Sequence, residues 1–186
     1  METIEIPPLS RKRLIGLSRQ TLENFVLKQN RPAPLVDDPY LLASRYGAFV
    51  SLHRGSELRG CIGTCFPTDP LYQTVAEMTE AAASRDHRVQ PIAPPELAEI
   101  AIDLSILSPL EPVAAPLSLE AGKHGLHLER GRRLGVLLPQ VATEHGWDME
   151  TFLGETCAKA GLPKDAWRLP ETKILSFTAL IIEEER

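Results

Sequence analysis

The sequence predicts an α+β protein with mainly antiparallel sheet flanked by helices, and three observations predict it. Alternating apolar runs come in pairs joined by short polar links, and strands joined so closely must run antiparallel. Stripes of helical period lie between them rather than forming repeated strand-helix-strand crossovers. With 186 residues and a 43% hydrophobic composition, the chain can bury a real core as one domain or as two intimately packed lobes.

From Ser10 to about Gln29, Leu14, Leu17, Leu22, Phe25 and Val26 make one helical stripe behind a Ser10 cap. Residues 31–39, with three prolines, form a loop. Residues 48–53 and 58–64 alternate around a link containing Gly55, which reads as a β-hairpin. Asp69 is placed to cap a helix whose first residue is Pro70 and whose buried face is Leu71, Val75, Met78 and Ala82, ending near Ser84. The link through Pro91, Pro94 and Pro95 is too proline-dense for a regular element. Ile100 to Leu107 alternates as a half-buried strand that Pro109 and Pro112 stop. A second hairpin runs from about His124 to Leu138, turning at residues 131–133. Pro139 starts a short helix that Gly146 ends, and Asp148 caps another that stops at Gly161-Leu162-Pro163. That last helix carries Phe152, Leu153, Thr156, Cys157 and Ala160 on its apolar side, so Cys157 belongs to the core. One final strand spans roughly Lys173 to Ile182, before an acidic tail.

Composition excludes several function classes. A formal net charge of -5 argues against a surface that tracks phosphates, because such affinity comes from basic side chains displacing counterions. The basic groups at Arg11-Lys12-Arg13 and Arg130 to Arg133 lack interleaved aromatics and read as solvated surface. Three cysteines are too few for a secreted disulfide scaffold, which points to a reducing compartment, the cytoplasm. The first residues carry acid where a signal peptide needs base, and no apolar run is long enough to span a membrane.

Leu58-Arg59-Gly60-Cys61-Ile62-Gly63-Thr64 is the segment singled out for function. Two glycines in one strand need a reason, since glycine adds no packing and costs backbone entropy. Either a ligand or another chain segment approaches the backbone beside the thiol, or the glycines mark a β-bulge or a close strand crossing. Alternation puts Arg59, Cys61 and Gly63 on one face, with Leu58 and Ile62 toward the core on the other. Arg59 would then lie beside Cys61 and favour the thiolate, the reactive form. An inert packed cysteine is the competing reading. Hairpin register decides what else is there: an odd link puts Ser51 and His53 on the face of Cys61, an even link puts Val50 and Leu52 there.

Gly122-Lys123-His124-Gly125 suits anion or carboxylate recognition, or is simply a turn before a strand. Arg85-Asp86-His87-Arg88 reads as a salt-bridged helix terminus or a cleft rim. Trp147 and Trp167 read as packing anchors. No metal set is visible: Cys61 and Cys65 are about 13 Å apart on an extended strand, and no Cys-x-x-Cys pair exists. No cofactor can be named.

These segments, together with Leu137-Leu138-Pro139-Gln140-Val141-Ala142, Gly146-Trp147-Asp148 and Lys159-Ala160-Gly161-Leu162-Pro163, resemble the AMMECR domain family. The match runs in order from roughly Leu14 to Glu183, as one domain of residues 1–186. The resemblance implies two packed lobes with a cleft between them. For prokaryotic members it also implies the AmmeMemoRadiSam system, whose other components are a Memo-like dioxygenase-fold protein and a radical SAM protein. It supplies no established reaction. The family usually shows proline inside an Arg-Asp-Pro-Arg stretch; here His87 stands in its place, which puts a rigid turn in doubt.

The residues therefore suggest an enzyme or enzyme subunit binding a small organic substrate, with Cys61 as nucleophile or redox thiol. Arg59, Gly60, Gly63, Arg85, Asp86, Lys123 and His124 are the candidate substrate-binding residues. A noncatalytic adaptor or ligand-binding protein is the alternative, and a nucleic-acid-associated regulator is the weaker one.

Overall fold

The computed structural model describes residues 4–29 and 35–185 and is α+β, with four α-helices and two four-stranded sheets. In chain order these are α1 (Pro8–Val26), β1 (Gly47–Arg54), β2 (Glu57–Thr64), α2 (Leu71–Ser84), β3 (Ile100–Leu107), β4 (Glu111–Pro112), β5 (Gly125–Arg130), β6 (Arg133–Leu137), α3 (Pro139–His145), α4 (Met149–Lys159), β7 (Lys173–Phe177) and β8 (Ala179–Glu183). The chain divides into two compact units, one of residues 4–107 with 180–185, the other of residues 108–179.

In the first unit the strand order is β2-β1-β3-β8, and β1 pairs antiparallel with both its neighbours. Ala48, Val50, Leu52, Ile100, Ile102, Leu104 and Ile106 are fully buried and pack with Leu14 and Leu22 of α1 and Leu71, Val75 and Ala82 of α2. Each strand therefore gives one face to the helices. Between α1 and α2, the buried hydroxyls of Ser18 and Thr79 bond at 2.8 Å. Ser18→Ala is expected to cost about 1 kcal/mol in urea unfolding, the usual worth of such a bond. Thr79 still donates to the Val75 carbonyl in that variant, so a loss several times larger would refute the assignment.

The second unit orders its strands β4-β7-β5-β6, antiparallel throughout. Phe152, Leu153 and Cys157 of α4 pack fully buried on Leu126 and Leu128 of β5. Local signals placed these helices well. Gly146 ends α3 in the left-handed region at φ 63°, and Asp148 accepts from the Thr151 N–H at 2.8 Å to cap α4.

Several expectations need correction. Ser10 is not the cap of α1 but lies inside it, because Pro7 and Pro8 start the helix earlier with φ already fixed. Phe25 falls off the buried stripe and stands 38% exposed. Asp69 does not cap α2; Pro70 occupies the cap, and the Asp69 carboxylate takes the Thr68 hydroxyl instead. The proline-dense link still forms one 3-10 turn, Pro94–Glu96, which needs no N–H from its prolines. Past Pro109, Glu111–Pro112 pairs briefly with β7. The single final strand is two, broken at Thr178, whose carbonyl accepts from Ser108 N–H, so β7 joins one sheet and β8 the other.

Candidate functional site

Cys61 lies on β2, the edge strand of its sheet, and the register there comes from one extra residue. The hairpin link is even, Gly55-Ser56, which alone would put Val50 and Leu52 beside the thiol. A β-bulge intervenes: Leu52 faces Gly60 while His53 faces Leu58, which leaves Arg59 unpaired. Beyond the bulge Ser51 stands opposite Cys61, the outcome expected of an odd link. The bulge also moves Leu58 off the core face, while Ile62 keeps its place against the core.

The main chain of Cys61 points outward on both sides. Its N–H donates to Asp86 Oδ2 at 2.9 Å, and its carbonyl accepts from Arg88 Nη2 at 3.2 Å. Ser51 and Cys61 are consequently a non-hydrogen-bonded pair, the kind whose side chains lie closest. The Ser51 hydroxyl donates to Cys61 Sγ at 3.1 Å. Asp86 and Arg88 supply at this edge the acceptor and donor that a further strand would have supplied, and so close it to other chains.

Asp86 is buried, its side chain only 3% exposed, and it also accepts from Arg88 N and Nε through Oδ1 and from Arg88 Nη2 through Oδ2. The Arg88 guanidinium first of all, helped by the Cys61 and Arg88 N–H groups and opposed by burial, holds this carboxyl far below the usual range. In return Asp86 keeps Arg88 firmly cationic, with Cys61 adding to the effect. The proline missing from this stretch is not needed for a turn: Val89 N–H reaches the Asp86 carbonyl at 3.2 Å around the exposed His87.

Ser51 is also opposite Asp103 of β3, so Cys61, Ser51 and Asp103 form a polar row across three strands. Asp103 Oδ2 lies 3.4 Å from Nε2 of His53, two residues along on the same face. Burial raises the Asp103 carboxyl, with Glu183 and Glu184 adding to the effect and His53 opposing it.

The structure brings Cys61, Gly60, Gly63 and Asp86 together but not the remaining candidates. Arg59 does not lie on the thiol. Freed from the ladder by the bulge, it is buried on Glu96, with Nε and Nη2 donating to the two carboxylate oxygens at 3.0 and 3.1 Å. The guanidinium against Cys61 is that of Arg88. Arg85 points back along α2 to Glu77, 58% exposed. Lys123 and His124 belong to the other unit, where Lys123 pairs with Glu120 and His124 Nδ1 accepts the Glu120 N–H at 2.9 Å. Burial first of all lowers the His124 pKa.

The two glycines make room for the chain itself. A Cβ on Gly60 would lie 2.0 Å from the Ala82 carbonyl oxygen, and one on Gly63 would lie 2.2 Å from the Phe49 ring. Ser51, Asp103 and Arg88 were not chosen from sequence as site residues. Serine opposite cysteine was legible as one of two registers, and Arg88 belongs to the segment read as a helix terminus or cleft rim, but Asp103 has no local signal.

Among the described residues no group of three or more His, Cys, Asp or Glu side chains is placed to hold a metal ion, and no helix is long and apolar enough to cross a membrane.

The sequence model of the AMMECR1 family matches residues 15–182. A protein of Methanothermobacter thermautotrophicus is 42% identical over 188 residues, covering 96% of this chain and 97% of its own. One of Thermococcus gammatolerans is 41% identical over 182 residues, covering 92% and 89%. The crystal structure of the uncharacterized protein PH0010 from Pyrococcus horikoshii superimposes with a TM-score of 0.85 at 38% identity, covering 93% of this chain and 90% of that one.

Proposed function

The chain belongs to the AMMECR1 family, and on that premise we propose that it is an enzyme or enzyme subunit acting on a small organic substrate at Cys61. The carrying observation is the contact of Ser51 Oγ with Cys61 Sγ on a half-buried strand face. The Ser51 hydroxyl and the Arg88 guanidinium place a hydrogen-bond donor and a positive charge beside the sulfur. A cysteine so placed has the surroundings of a nucleophile or a redox group. Within the AmmeMemoRadiSam system the chain would work with a Memo-like dioxygenase-fold protein and a radical SAM protein, in the cytoplasm.

Alkylation of the native protein, read residue by residue by mass spectrometry, tests this. Cys61 is expected to react faster than Cys65 and Cys157 below about pH 8, where an ordinary thiol is mostly protonated. Cys157 is the internal control: it is fully buried, and burial pushes its thiol up. Equal slow rates at all three would remove Cys61 from any chemical role.

One observation favours a second reading, a noncatalytic adaptor or ligand-binding protein. Among the described residues no imidazole or carboxylate hydrogen-bonds Cys61 Sγ, so no general base touches the thiol. An affinity pull-down that recovers neither a Memo-like nor a radical SAM partner would count against the adaptor.

A further inference from the structure

We propose that the free edge of the Arg88 guanidinium is the docking point for a small oxyanion, a carboxylate or a phosphate, presented beside the Cys61 thiol. The inference deepens the reading of Cys61 as the reacting group and rests on it for the substrate's identity. Arg88 Nε and Nη2 are committed to the two oxygens of Asp86, and Nη2 also reaches the Cys61 carbonyl. Hydrogen bonds to protein oxygens engage Nε and Nη2 and leave Nη1 over, the guanidinium lies against the Cys61 side chain, and the Arg88 side chain is 63% exposed.

An ordinary surface arginine sweeps through many rotamers and must be ordered by whatever it binds. Arg88 is already ordered, because a buried carboxylate grips one edge of its plane and the edge strand grips Nη2. The remaining donors are therefore held in place before a ligand arrives, which is what preorganised recognition requires. The fork of Nε and Nη2 is spent on Asp86, so Nη1 is left to give charge-assisted hydrogen bonds to an oxygen of a carboxylate or phosphate. Glu96 is taken by Arg59 and Arg54, and Asp103 is paired with His53.

Iodoacetate and iodoacetamide test the inference. Both transfer a two-carbon group to the thiolate as the S–C bond forms, the C–I bond breaks and iodide leaves; only iodoacetate carries a carboxylate. The iodoacetate-to-iodoacetamide rate ratio at Cys61 is expected to rise about tenfold over the ratio for the same cysteine in urea, as one charge-assisted hydrogen bond can provide. The iodoacetate rate should saturate with concentration and be suppressed by acetate or by inorganic phosphate, whichever anion the site prefers. Arg88→Gln should abolish the preference, and Arg88→Lys, which keeps the charge but offers Asp86 a single nitrogen to hold, should restore only part of it.

Fast iodoacetamide labelling with an unchanged ratio overturns the docking point and leaves the thiol reading intact. If Cys61 resists both reagents, the thiol reading falls, and nuclear magnetic resonance decides the docking point by itself. Saturable shifts of the Arg88 Nε and Cys61 amide signals on adding acetate or phosphate support it, and the absence of shifts overturns it. Wild-type saturation and competition stand even if Arg88→Gln disturbs β2.

Discussion

Gly60→Ala is expected to cost about 3 kcal/mol of folding stability, the upper end of what overpacking costs in a close-packed interior. The reason is the partner. The new methyl would meet the carbonyl oxygen of Ala82 at 2.0 Å and its carbon at 2.9 Å, and these are backbone atoms of α2 that no side-chain rotation can move away. Either the helix lifts from β2, opening the buried layer of Leu71, Val75 and Ala82, or the strand retreats and loses its register with β1. Gly16→Ala supplies the control, with nothing within 4 Å of the added Cβ on the exposed side of α1. There the same substitution should stabilise by up to about 1 kcal/mol, because alanine is the better helix former. Chemical denaturation of both variants measures the two signs. If Gly60→Ala unfolds at the wild-type midpoint, the close approach of α2 is wrong, and the glycine requires a ligand-based explanation after all.

What the sequence made legible divides by the range of the interaction that decides each feature. The ends of α3 and α4 were readable because Gly146, Asp148 and Gly161 act on their own turns. The hairpin was readable from its alternation. Its register was not, because the bulge depends on Arg59 leaving the ladder for Glu96, 37 residues away. Asp86 and Arg88 meet Cys61 across 25 and 27 residues, and nothing in Arg85-Asp86-His87-Arg88 distinguishes that role from a solvated helix exit. The final strand read as one because its residues suit β structure throughout; only pairing with two different sheets divides it at Thr178. The need for a reason at Gly60 and Gly63 was visible locally, but the reason was a helix and a ring from elsewhere in the chain.

Asp86→Ala is expected to cost about 3 kcal/mol, since it removes every acceptor that Asp86 offers and strands the Cys61 N–H and the Arg88 donors that depend on it. Asp86→Asn separates charge from shape: an amide retains one acceptor oxygen but cannot grip the guanidinium with two. The pH dependence follows from the sign of the shift. A carboxyl whose folded pKa is depressed contributes its stability in full above the unfolded value, about 3.9, and loses it as pH falls from there toward the folded value. The gap in unfolding free energy between wild type and Asp86→Asn should therefore be constant from about pH 5 upward and narrow steadily below about pH 4. A gap that stays constant down to about pH 2 would mean that the carboxylate charge does not hold this edge. The same variants bear on function, because the grip that stabilises the strand edge is the one that orients Arg88. Asp86→Asn should lower the iodoacetate-to-iodoacetamide rate ratio at Cys61. An unchanged ratio would mean that Asp86 does not orient the docking guanidinium.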